Sequence, residues 1–75
     1  MKNYYTISEF AKLFQVHPTQ VELAIAKREI RAITMNGKTM IPKSEAIRLL
    51  KRVHPLMGEK HLEVLEKFNL YGITP

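Results

Sequence analysis

The stretch "TISEFAKLFQVHPTQVELAIA", Thr6 to Ala26, sets two short helices almost end to end. Thr6-Ile-Ser-Glu9 is a capping box: the Thr6 side chain accepts from the Glu9 amide and Glu9 reaches back to the Thr6 amide. Ile7, Phe10, Ala11 and Phe14 follow at i, i+3, i+4 and i+7, one face of a helix running to about Phe14. Tyr5 stands before the cap, where it can staple onto Phe10. Gln15-Val16-His17 is a short break, and Pro18 suits the first position of a new helix, where its missing amide costs nothing. Val21 and Ile25, with Ala24, make the inward stripe of this second helix. Two short helices so tightly joined, each with a single apolar stripe, read as a helix-turn-helix.

Working outward, Glu29 to Ala32 leads into "ITMNGKTMI", Ile33 to Ile41. Asn36-Gly37 is the pair that a two-residue primed turn asks for, because both positions need positive φ. The flanking residues alternate, so a two-stranded ribbon with Lys38 at its tip is expected. Pro42 closes the second strand. Ser44 is expected to cap a third helix, with Ala46, Ile47 and Leu50 inward and Arg48, Lys51 and Arg52 on a solvated outer face. His54-Pro55 stops it, since the residue before proline avoids the helical region. A last helix is expected from Glu59 to Phe68, with Leu62, Leu65 and Phe68 on one side.

Composition narrows the function classes. Seventy-five residues suit one small domain, with 45% hydrophobic and 25% charged residues, an ordinary globular balance. No cysteine is present, which removes disulfides and thiolate zinc sites and fits a reducing compartment. No apolar run approaches the roughly 20 residues that a membrane-crossing helix needs, and "MKNYY" lacks the apolar segment of a signal peptide. A cytoplasmic protein without a membrane segment is expected. His17, His54 and His61 are scattered over three elements, and neither a metal-ligand spacing, a phosphate loop nor a nucleophile turn is present. The sequence therefore reads as a non-enzyme without metal or cofactor.

Charge is distributed unevenly. Through Arg52 there are ten basic and four acidic residues, a balance of +6, while the remainder carries −1. Such asymmetry suits a polyanionic partner such as nucleic acid. Charge alone leaves open a basic surface that serves only solubility.

The predicted class is α+β, mainly α: a winged helix-turn-helix with a two-stranded β wing, a third helix, and an extra C-terminal helix. Residues 1–53 would form the DNA-binding unit. Residues 54–75 would form a tail that packs on it or mediates self-association. Residues 4–50 resemble the excisionase and MerR-like small DNA-binding family. The resemblance is carried by Thr6, Glu9, Ala11, Val16, Pro18, Val21, Ile25, Lys38 and Ile41-Pro42-Lys43-Ser44. The family often has Gly where this chain has Arg28, Ser or Thr where it has His17, and an aromatic or basic residue where it has Glu22.

The resemblance implies sequence-specific binding to double-stranded DNA, as an excisionase-like recombination directionality factor or a small transcriptional regulator. In that geometry the second helix enters the major groove. His17, Thr19, Gln20, Glu22 and Leu23 are then the base-contact candidates. Gln20 suits adenine, Glu22 the cytosine amino group and Leu23 a thymine methyl. Lys27, Arg28, Asn36, Lys38, Thr39 and Lys43 are the backbone and wing candidates. Leu62, Leu65 and Phe68 are the candidates for self-association on DNA or for holding an integrase or regulatory protein. The alternative from another class is a protein-interaction module that keeps this scaffold and works through its last helix.

Overall fold

The computed structural model describes residues 3–53, 55, 56 and 58–70, with the side chains of residues 53, 65 and 67–70 outside the description. Its elements are β1 (Tyr4–Thr6), α1 (Ile7–Phe14), α2 (Pro18–Ala26), β2 (Ile33–Met35), β3 (Lys38–Pro42), α3 (Lys43–Val53) and α4 (Glu59–Leu70). Together they make a small, mainly helical α+β fold with four helices and one antiparallel sheet.

The first helix starts as its sequence dictates. Thr6 Oγ1 accepts from the Glu9 amide at 3.1 Å, and Glu9 Oε1 accepts from the Thr6 amide at 2.9 Å. The Tyr5 and Phe10 rings meet edge to face, with centroids 6.4 Å apart. The helix ends where Gln15 turns left-handed at φ 55°, and Val16 donates back to the Ala11 carbonyl.

The hairpin has the expected turn: φ is 51° at Asn36 and 77° at Gly37, and Ile33 pairs with Met40, Thr34 with Thr39 and Met35 with Lys38. The expected two-stranded ribbon, however, is a three-stranded sheet in the order β1-β3-β2. Tyr4, Tyr5 and Thr6 pair with Pro42, Ile41 and Met40. An isolated hairpin is marginal in water, and β1 gives β3 a neighbour on both sides. Residues opposite one another share a face. Tyr5 and Ile41 therefore point together into the core, both fully buried, while Tyr4, Ile33 and Met35 remain partly exposed on the other face.

The third helix begins two residues earlier than a cap at Ser44 would place it. Lys43 is its first residue, and Ser44 lies inside the helix rather than capping it. The Lys43 amide donates instead to the Asn3 carbonyl at 2.8 Å, so the chain entering β1 satisfies the first amide of α3.

One core joins these elements: Tyr5, Phe10, Ala11, Leu13, Val21, Ile30, Ile41, Ala46, Leu50 and Leu62. Leu13 and Ile30 lie outside the stripes read from the sequence. Leu13 is buried because α1 is covered from more than one side, by α2, by α4 and by the sheet. Leu62 is fully buried in this core, so it is withdrawn from the self-association surface proposed for it; the side chains of Leu65 and Phe68 lie outside the described residues. The stretches on either side of the expected boundary at 53/54 thus share one interior.

The closing contact is polar. The Tyr5 hydroxyl donates to Glu66 Oε2 at 2.9 Å, and both residues are buried. Burial, and then the hydrogen bond to Glu66, push the Tyr5 hydroxyl above its ordinary pKa. Removing one partner leaves the other buried and unsatisfied, which costs about 1–3 kcal/mol. Tyr5→Phe should lower unfolding free energy by that amount in a urea titration. A loss below about 0.5 kcal/mol, the range of an ordinary surface change, would show that Glu66 finds water instead.

Candidate nucleic-acid interface

The second helix opens with a reciprocal cap that uses a histidine. His17 is the N-cap residue in extended conformation, followed by Pro18 at the first helical position. The Thr19 amide donates to His17 Nδ1 at 3.2 Å, and the His17 amide donates to Gln20 Oε1 at 3.2 Å. This is the logic of a capping box with imidazole in place of a hydroxyl. Because Nδ1 accepts, the neutral ring carries its proton on Nε2, which is left as a donor.

The base-contact candidates fall on one accessible helix. His17, Thr19, Gln20, Glu22 and Leu23 are all exposed, Leu23 by 54%, whereas Val21 is buried and Ala24 and Ile25 are half-buried. The Gln20 amide, which suits adenine, is already engaged within the protein. Its carbonyl already serves the cap, so a base amino group must share that oxygen through its second lone pair. The cap holds the Gln20 amide group in one orientation.

Beyond α2 the chain turns sharply. Lys27 ends the helix and Arg28 adopts φ 64°, a left-handed conformation that favours glycine. The Arg28 amide donates to the Ile25 carbonyl and the Glu29 amide to the Ala24 carbonyl. The loop is then clamped to α3. Glu45 Oε1 accepts from the Arg31 amide at 2.8 Å and from the Arg48 guanidinium at 2.9 Å. A second bond joins Arg48 Nε to Glu45 Oε2, and the same guanidinium donates to the Glu29 carbonyl at 2.7 Å. Arg48 was expected on a solvated face; it is a strut that holds the connection between α2 and β2. The Arg48 hydrogen bond, reinforced by the Arg31 amide, holds the Glu45 carboxyl below its ordinary pKa, and Arg48 is correspondingly raised.

The basic candidates divide. Lys43, expected on a phosphate, is engaged by Glu59 at 2.7 Å, an ion pair that ties the start of α3 to the start of α4. The same lysine lowers the Glu59 pKa. Lys27, Arg28 and Lys38 are exposed and make no ion pair among the described residues. Asn36 and Thr39 flank Lys38 at the hairpin end and are exposed as well. Among the described residues no group of three His, Asp or Glu side chains is placed to hold a metal, and no helix is long and apolar enough to cross a membrane. Comparison with protein-family models, with curated proteins and with solved structures finds no match for this chain.

The clamp has a pH signature. A carboxyl whose folded pKa lies below its unfolded value contributes stability that is fully present above the unfolded value and is lost as pH falls through the folded one. Wild-type stability should therefore fall on acidification below about pH 4.5, the ordinary glutamate range. Glu45→Gln should start less stable at neutral pH and decline less steeply in acid. Parallel stability–pH curves for the two proteins would show that Glu45 titrates alike in both states.

Proposed function

We propose that this chain is a small winged helix-turn-helix protein that binds duplex DNA with sequence preference, as an excisionase-like directionality factor or a small transcriptional regulator. The observation that carries the reading is the start of α2: a polar, exposed helix face whose first turn is ordered by the His17–Gln20 cap before any ligand arrives. Recognition groups fixed in advance lose less entropy on binding. Two further features support it. The hairpin turn sets exposed Lys38 beside Asn36 and Thr39, and the chain through Arg52 carries a balance of +6.

In this reading α2 lies in the major groove with its N-terminal turn toward the bases. Gln20 meets adenine with Nε2 and a shared Oε1, and His17 donates through Nε2–H to a purine acceptor or a phosphate. Thr19 is a small adaptable donor and acceptor, Glu22 accepts from a cytosine amino group, and Leu23 touches a thymine methyl. Lys27, Arg28 and Lys38 neutralise phosphates, and Asn36 and Thr39 support the wing contact. Lys43 takes no part while Glu59 holds it. A protein-binding role for the last helix is left without Leu62, which is buried, while Val64 on the same helix is 51% exposed.

Selection of bound fragments from a genomic DNA pool, followed by affinity measurements over a salt series, tests the reading. Lys38→Ala should weaken binding to every sequence and reduce the slope of log affinity against log salt by about one. Gln20→Ala should cost about 1–3 kcal/mol at the selected site and little on random duplex. An unchanged slope would take Lys38 off the phosphates. An equal loss on all sequences would take Gln20 off the bases.

A further inference from the structure

The turn after α2 encloses a cleft of about 400 Å³ lined by Ile25, Arg28, Ile30, Arg31 and Ala32. Its walls are of two kinds. Ile30 is buried, and Ile25 and Ala32 are half-buried, so they supply an apolar floor. Arg28 and Arg31 are exposed and make no ion pair among the described residues, while Glu29, between them in the chain, is not part of the wall. The glutamate that approaches this turn, Glu45, is hydrogen-bonded to Arg48 and to the Arg31 backbone amide; it also attracts the Arg31 guanidinium, but from beyond ion-pair distance. The clamp also holds the loop in place, with Arg28 in the left-handed conformation at φ 64°.

Ala32 leads directly into β2, which is an edge strand of the sheet. One side of Ile33-Thr34-Met35 pairs with β3, and no strand among the described residues covers the other. The segment is three residues long and contains neither proline nor an inward charge, so its shortness is what limits this open edge.

We infer that the cleft and the adjoining edge of β2 hold an extended segment of a partner protein in which a carboxylate flanks a large apolar side chain. The apolar side chain seats on Ile25, Ile30 and Ala32. The carboxylate meets Arg28 and Arg31, whose planar guanidinium groups match its two oxygens. The main chain of the segment continues along β2, where backbone hydrogen bonds supply affinity and the cleft supplies selectivity. A phosphate of DNA would satisfy the two arginines but would make no use of the apolar floor, so the acidic, apolar peptide fits the whole site better. Arg28 is the residue over which this binding and the phosphate role compete; Gln20 and Lys38 belong to the DNA reading alone.

The test is an amide-shift titration of the ¹⁵N-labelled full chain. The probes are an acetylated, amidated peptide Val-Asp-Leu-Asp-Val, its Asn-for-Asp counterpart, and a short random-sequence duplex. The acidic peptide should move the amides from Arg28 to Met35 in a saturable way. The Asn peptide should bind at least about tenfold more weakly, and the Arg28→Gln/Arg31→Gln protein should lose the acidic peptide to the same degree. Unmoved amides at millimolar acidic peptide would overturn the inference, as would equal binding of the two peptides, a comparison that needs no altered protein. Shifts of the same amides by the duplex but not by the peptide would also overturn it, returning Arg28 to the DNA backbone and adding Arg31 to it.

Discussion

Sixty-one positions of chain separate Tyr5 from Glu66, yet the Tyr5 hydroxyl donates to Glu66 inside the core. A chain this short has little interior to share among its elements. Its solution is to bring first strand and last helix together around α1. Tyr5 packs against Phe10, pairs in register with Ile41 and bonds to α4, so one side chain connects strand, helix and sheet. Leu62 fills the same interior from α4. With β1 and α4 joined in this way, α2 and the β2–β3 hairpin lie between the closing elements in sequence.

Polar interactions then decide which charges remain available. Glu45 and Arg48 immobilise the connection after α2, and Glu59 occupies Lys43. The Lys43–Glu59 pair adds little stability, because solvent screens it, whereas the Glu45 carboxylate is largely covered. Their effect is one of selection: Lys43 and Arg48 are engaged, whereas Lys27, Arg28, Arg31 and Lys38 stand free of ion pairs among the described residues. The proposed readings of DNA and of an acidic peptide draw on this remaining set. Only Arg28 is claimed by both.

Features governed by neighbouring residues were legible in the sequence. The Thr6–Glu9 cap, Pro18 at the helix start, and the Asn36-Gly37 turn each follow from rules spanning a few positions, and each is where it was expected. β1 was not legible, because Thr6 ends the strand and caps the helix at once, leaving no loop to mark a boundary. The His17–Gln20 cap had a signal in its three-residue spacing, obscured because histidine is not among the preferred capping residues. The clamp joins residues from two distant segments, which no local pattern connects. An apolar stripe such as that of Leu62 shows that a face is covered without showing by what. For the candidate site, exposure of the α2 face was readable from periodicity, whereas the engagement of Lys43 depended on where α4 comes to rest.

The most direct test is the folding of residues 1–53 alone, followed by amide dispersion and cooperative unfolding in urea. With Leu62 and the Glu66 partner of Tyr5 removed, this fragment should lose both dispersion and a sharp transition. A fragment that keeps the dispersed spectrum and unfolds as cooperatively as the full chain would contradict the account, because the core would then close without the last helix.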